Sequence, residues 1–389
     1  MIFIDVTQSC RSSNNSGIQV VTRNLFREIN AQKAVTPLIW DNFLKNYSHL
    51  NKRELKNLSD PFDKDYQAKE RPNKQENPFY KEFLKSFFRL KRIKKFDNQS
   101  STQQLFIFPE VFRDNRVFEL PKVKMNKLTK GAIFHDANVL QNSLPTPAAR
   151  LKNFKGYMNF LASCDAISTV SDFSKKQFIE NIGSSFEQTK IVTHRLPVEP
   201  PEFQPRKKLQ HVPLIIFVST LGYNKNHLCL LDAAEILWSE GLSFELQFIG
   251  QSDPSWSYKV INKINEFRQR NRPIKWLKHI GQNELEEKYL SCSFTVFPST
   301  SEGFGLPIIE SLVRGKACIC GKNGALGEII RDGGCLTIAD QKDSNQLANG
   351  IRKLLTDKEL ILKLEKQAKK RDFGSWKSYS SQLLDHFLP

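Results

Sequence analysis

Acidic residues are scarce in this sequence. Its 41 aspartates and glutamates face 58 lysines and arginines, a formal charge of +17. A surplus of that size favours an anionic partner, whether nucleic acid, a membrane surface or a phosphorylated ligand. Long apolar runs are missing too, and nothing approaches the ~18 residues of a bilayer-spanning helix. Met1–Val6 has neither a basic region nor a long apolar core, so it reads as a buried first strand rather than a signal peptide. The 7 cysteines are odd in number and scattered, with no CxxC pair. Cys318 and Cys320 alternate along a strand-like run and do not bridge each other. A disulfide scaffold is thereby excluded, and reduced thiols in a cytoplasm are expected. No self-similar period marks a solenoid. Zinc-finger spacings and RNA-recognition aromatic motifs are also missing, so nucleic acid is not the expected partner.

What is present describes two ordinary domains. The chain has 389 residues, 39% hydrophobic and 25% charged, enough for two separate cores. Short apolar runs alternate with helical periodicity almost throughout. Strands are expected at Ile2–Val6, Leu105–Phe108, Ala132–His135, Ala166–Val170, Leu214–Ser219, Phe244–Gly250, Phe294–Pro298, Ala317–Gly321 and Leu336–Ala339. Helical spacing falls between most of them, as in Ile18, Val21, Leu25 and Ile29. Strands separated by helices imply right-handed crossovers and parallel sheets, hence an α/β fold of two doubly wound, Rossmann-like domains. The proline-rich stretch from Pro197 through Pro213 marks the boundary, placing one domain at 1–200, a linker at 201–212 and a second domain at 213–370.

Residues 46–100 break this rhythm. They are rich in lysine, proline and asparagine, and read as an insertion in the first domain. Within them Tyr80, Phe83, Leu84, Phe87 and Phe88 follow helical spacing among seven cations, with only Glu82 opposing between 81 and 95. Two readings stand: residues 80–96 meet an anionic membrane surface, or the helix packs its aromatic face on the first domain with solvated lysines. Asp63-Lys64-Asp65 has the shape of a metal-binding D-x-D motif but sits in this solvated run, and no metal is assigned to it.

The chemistry concentrates after the run Phe294–Pro298. The loop Ser299–Gly305 leads into Leu306-Pro307, with Gly303 and Gly305 permitting close backbone approach and Pro307 suited to a helix start. The free N–H groups of Gly305 and Leu306 would then face a phosphate. Glu302 in the loop and Glu310 a turn into the helix are placed to accept from vicinal hydroxyls, one set on a sugar and one on a ribose. Taken alone, such a glycine loop is equally an ordinary turn.

The full string Ser301-Glu302-Gly303-Phe304-Gly305-Leu306-Pro307-Ile308-Ile309-Glu310 closely resembles the E-x7-E signature of the retaining GT-B glycosyltransferases of family 4. The likeness continues through Arg314–Ala317, Gly324–Glu328 and Ser219–His227. It implies a GT-B architecture, with the two domains facing a cleft and a last helix at 371–389 crossing back to the first. It further implies donor contacts at Gly17, Thr220, Lys225, Gly303, Phe304, Gly305, Leu306 and Glu310, with His135 and Glu302 supporting the sugar. The family's usual arginine is replaced by Asn224.

In the first domain Ser16-Gly17-Ile18 resembles the family's glycine loop, although a plain strand–helix turn fits equally. His135 ends a strand where the family has a histidine approaching the donor sugar. Ser171, in a family-like S-x-x-S segment, is expected to be a helix N-cap. The resemblance implies hexose transfer with retention to a glycan or lipid-linked glycan in bacterial surface polysaccharide synthesis. It implies no cofactor and no metal, and GDP-mannose as the first candidate donor. Such an enzyme would be cytoplasmic, peripheral on the inner face of the plasma membrane. A GT-B epimerase would bind the same donor without transferring it, and a basic nucleic-acid-binding protein would leave the Glu302–Glu310 string unexplained.

Overall fold

Four consecutive buried residues, Ile2–Asp5, form β1, and burial on both faces is what a central parallel strand requires. The structure, a computed structural model, describes residues 1–12, 15–59, 85–94, 103–120, 128–140, 148–182, 190–200, 212–254 and 256–388. The strands that follow are β2 (Val35–Asp41), β3 (Asn46–His49), β4 (Gln104–Phe108), β5 (Leu128–Phe134), β6 (Ala166–Thr169) and β7 (Ile191–Thr193). They continue with β8 (Leu214–Val218), β9 (Glu245–Ile249), β10 (Ile274–Leu277), β11 (Phe294–Phe297), β12 (Cys318–Gly321) and β13 (Cys335–Ile338). One sheet runs β3-β2-β1-β4-β5-β6-β7 and the other β10-β9-β8-β11-β12-β13. All these pairings are parallel except β2 with β3.

Each sheet reverses its strand order once, between β1 and β4 in the first and between β8 and β11 in the second. At such a point neighbouring crossovers leave in opposite directions, opening a crevice beyond the strands' carboxyl ends. The chain divides into one unit of Met1–Pro197 with Ser375–Pro389, and another of Val198–Gly374. The first unit's core is aromatic: Phe106 stacks on Phe108 at 4.4 Å and meets Tyr47 edge-on at 4.9 Å. Into it the buried Asp5 carboxylate accepts from Tyr47 Oη at 2.8 Å and pairs with Arg116 at 2.7 Å. The helix Trp376–Phe387 belongs to this unit and buries Trp376, Tyr379, Leu383, Leu384 and Phe387. The Phe387 ring lies where a β-carbon on Gly131 of β5 would come within 2.5 Å, so that strand needs glycine there. The second unit's core includes Leu214, Ile216, Ile249, Tyr289 and Cys292. All seven cysteines are free.

The expected insertion carries regular elements at its start. Asn46–His49 is an antiparallel edge strand, and Lys52–Ser59 is a helix. Both are polar because each has one face in water, and the periodicity of a fully buried parallel strand is absent from them. Of the two readings of the aromatic face, packing on the first domain is corrected where the face is described: Ser86 and Arg89 are buried while Phe87 and Phe88 are exposed. Arg89 pairs with Asp41 at 2.9 Å and Glu54 at 2.7 Å, and these ion pairs outweigh the apolar pattern. Tyr80, Phe83, Leu84, Asp63, Asp65 and residues 201–211 of the expected linker lie outside the described residues.

Candidate active site

At the β8/β11 switch point two loops meet. The first follows β8 through the 3-10 turn Tyr223–Lys225, then Asn226 in the left-handed conformation (φ 62°). The second follows β11 and carries Ser299–Gly305. Asn224 fastens one to the other. Its side-chain amide donates to the Ser301 carbonyl at 2.8 Å, and its own carbonyl accepts from the Thr300 N–H at 2.8 Å and Ser299 Oγ at 2.9 Å. Asn226 adds a bond to the Pro298 carbonyl at 3.3 Å. The residue at position 224 therefore staples the loops, a role that its neighbours in sequence do not announce.

The staple brings Lys225 and Glu302 together. Lys225 Nζ donates to Glu302 Oε1 at 2.5 Å, and Ser299 Oγ donates to the same oxygen at 2.5 Å. The ammonium also lies 5.4 Å from the centre of the Phe297 ring. Both side chains keep some exposure, 21% and 13%, so this pair is reachable from solvent. Thr220 is exposed on the first loop, while Gly303 and Phe304 are buried in the second. Gly305 has φ +108°, and a β-carbon there would lie 2.8 Å from Leu326 Cδ2. Glycine is thus required both for conformation and for space. Leu306–Val313 is the following helix, with Pro307 in its first turn, where its missing N–H costs nothing.

Glu310 lies in that helix, half-buried, and its carboxylate does not swing freely. Tyr289 Oη donates to Glu310 Oε2 at 2.8 Å. Burial, then the neighbouring Glu310, pushes the Tyr289 phenol well above its ordinary range, so the hydroxyl stays a donor. Arg314 lies over the Tyr289 ring at 4.6 Å, donates to the Glu310 carbonyl at 2.6 Å and forms a buried ion pair with Glu286. Tyr289 thus holds the Glu310 carboxylate from one helix, while Arg314 holds the Glu310 backbone carbonyl from the end of the other. Sequence spacing alone had no signal for Tyr289, which reaches Glu310 across the helix pair. Among the described residues no group of three or more His, Cys, Asp or Glu side chains is arranged to hold a metal ion.

In the first unit the expected residues gather at the carboxyl ends of β1, β4 and β5. His135 follows β5, is buried, and donates through Nε2 to the Pro109 carbonyl at 2.8 Å. Burial lowers its pKa to about 4, so the ring is neutral at ordinary pH and Nδ1 is its acceptor. Ser171 caps the helix Asp172–Ile182 by accepting from the Ser174 N–H at 3.0 Å. Ser174 Oγ in turn donates to the His135 carbonyl at 2.7 Å, so the S-x-x-S segment fixes the backbone that carries His135. Beside Pro109, Glu110 accepts from the N–H groups of Gln8 and Ser9 and from Ser9 Oγ; burial and Asp5 push its carboxyl up to about 7. Gly17 opens the helix Gly17–Gln32, preceded by Ser16, whose N–H bonds Gln19 Oε1 at 2.9 Å. Buried Arg23 donates to the carbonyls of Ser9 and Ser12 and to Asn15, tying down the segment ahead of Gly17.

Comparison with known proteins agrees with this geometry. Residues 199–371 match the family model described as Glycosyl transferases group 1. The chain is 27% identical over 237 residues to the O-antigen chain mannosyltransferase B of Escherichia coli, a match covering 58% of this chain and 60% of that protein. It is 35% identical over 100 residues to the serotype-specific mannosyltransferase WbdA of Escherichia coli, covering 25% of this chain and 12% of the relative. The chain thus spans less than two thirds of either. In structure it resembles the sucrose-phosphate synthase of Thermosynechococcus elongatus, with TM-score 0.69 and 16% identity over 99% of this chain and 97% of that one. That likeness establishes the shared two-sheet fold. Residues 199–371 therefore resemble a glycosyl transferases group 1 domain, carried in a chain of GT-B fold.

Proposed function

We propose that this chain is a nucleotide-sugar-dependent hexosyltransferase acting in bacterial polysaccharide synthesis. The observation that carries the reading is the Lys225–Glu302 pair at the β8/β11 switch point, with Glu310 a short way down the adjoining helix. A departing nucleoside diphosphate needs positive charge and N–H donors where its own charge develops. Lys225 and the amino end of Leu306–Val313 meet that need, and Glu310 accepts from the ribose hydroxyls. Glu302, freed from Lys225 when the diphosphate takes the ammonium, accepts from hydroxyls of the sugar. His135, through Nδ1, is assigned to a sugar hydroxyl as acceptor rather than to proton transfer, because its pKa of about 4 makes it a weak base.

Transfer proceeds with retention, by attack on the face that the leaving group departs from, and without a metal. The donor sugar is mannose, carried on GDP, a reading supported by the two Escherichia coli mannosyltransferases among the relatives. The acceptor is a glycan or lipid-linked saccharide, met at the inner face of an anionic membrane. Incubating the protein with labelled UDP-, GDP- and dTDP-sugars and an acceptor lipid extract tests all of this. Label transferred from GDP-mannose in the α-configuration, undiminished by EDTA, is the expected result. Isomerised donor with no transfer would identify an epimerase instead, and transfer from another donor would overturn the choice of sugar.

A further inference from the structure

We propose that the first unit docks onto an anionic lipid bilayer through Phe87, Phe88, Leu90 and Leu55, with the exposed cations Lys52, Arg53 and Lys91 carried on the same two segments. The face is defined by what holds it. Ser86 Oγ donates to Asp41 Oδ1 at 2.8 Å, and buried Arg89 bridges Asp41 and Glu54. These bonds tie the helical segment 85–92 to the end of β2 and to the helix Lys52–Ser59. They turn the polar side of that segment inward and leave its apolar side out. Phe87 is 64% exposed and Phe88 70%, their rings edge-on at 6.0 Å; Leu90 and Leu55 are 47% and 44% exposed.

A soluble surface has no reason to invest a buried ion-pair anchor in presenting two phenylalanines to water. The charge beside them selects the occupant. Within residues 52–59 and 85–94 the sole acid is Glu54, which is buried and committed to Arg89 and Arg92, while Lys52, Arg53 and Lys91 are exposed. Apolar side chains surrounded by cations suit the headgroup–acyl boundary of an anionic leaflet. Exposed aliphatic Leu55 and Leu90 on the same two segments favour lipid over stacked bases. The inference extends the proposed function by bringing a lipid-linked acceptor to the enzyme, and rests on that reading only for the acceptor.

Co-sedimentation of the full chain with phosphatidylcholine vesicles, with and without phosphatidylglycerol, tests it. Binding is expected only with phosphatidylglycerol and should weaken as salt rises. Phe87→Ser with Phe88→Ser should weaken it about tenfold or more, and Lys52→Glu with Lys91→Glu should weaken it at low salt. Phe88→Trp should show a blue-shifted emission on adding these vesicles. Turnover of a soluble donor and acceptor should be unchanged in the Ser variant, which separates failure of docking from failure of the transfer reading. Equal binding to both vesicle types, unchanged binding of the Ser variant, tighter binding to an oligonucleotide, or a dimer lost on Phe87→Ser with Phe88→Ser would each overturn the proposal.

Discussion

Replacing Tyr289 by Phe removes a single oxygen and leaves the ring that supports Arg314. The lost bond is the 2.8 Å contact to Glu310 Oε2. A hydrogen bond to a carboxylate contributes about 1.5–3 kcal/mol net. Glu310 is only half-buried, so water recovers part of this in the free protein. About 1.4 kcal/mol should remain as the cost of re-aiming the carboxylate when donor binds, which is about tenfold in donor KM. The hydroxyl does not touch the transferred sugar in this reading, so kcat should change about twofold or less. Initial-rate kinetics at saturating acceptor give both parameters. Two controls separate positioning from general stability. In a Glu310→Gln background the further effect of Tyr289→Phe should shrink, a coupling of about 1 kcal/mol. A donor analogue lacking the ribose hydroxyls should not distinguish the variant from the parent. An unchanged donor KM with a lowered melting temperature would refute the reasoning and leave Tyr289 a core residue.

Lys225→Ala should lower kcat by about a hundredfold or more, as loss of a preorganised charge does in other transfer enzymes, with parental turnover counting against the assignment. Gly305→Ala forces a β-carbon into φ +108° and to 2.8 Å from Leu326, and should destabilise the chain by about 1–3 kcal/mol in urea unfolding. Stability should also fall as the medium is acidified from pH ~6.5 towards ~4. Burial lowers His135 and His194 to about 4 and His227 to about 3, so the unfolded chain binds more protons in that window. Glu110, raised to about 7, opposes them with the opposite sign, leaving a net excess of roughly two protons, or about 2.7 kcal/mol per pH unit. Melting temperatures across the window should show a shallower slope in His227→Gln; an identical slope would contradict this.

Much of the second unit is legible in its residues, because buried parallel strands write themselves as apolar runs and the Ser301–Glu310 string joins strand, loop and helix without interruption. The rest is less legible. Pro37 within Val35–Asp41 argues against a strand, yet it sits in β2 paired with β1 through residue 38. Asn46–His49 and Ile274–Leu277 lie at sheet edges, where half-exposed polar residues carry no distinct pattern. The site shows the same limit. Lys225 and Glu302 are recognisable apart, but their pairing depends on Asn224, whose amide acts across 77 positions of chain. Arg89 and Ser86 face inward because of Asp41 and Glu54, both remote in sequence, and helical periodicity cannot weigh a partner it does not contain.

The helix Trp376–Phe387 has a bearing on how the protein comes to be made. It belongs with residues 1–197, yet it is translated only after all of Val198–Gly374. At about 5–20 residues per second, that interval lasts roughly 10–35 s. Throughout it the place above Gly131 that Phe387 fills, and the surface that Trp376 and Leu383 cover, stand open on the nascent chain. The amino-terminal half of this protein is therefore the last to be finished, and a ribosome that stalls or terminates early would release it with its own core exposed, a natural client for chaperones.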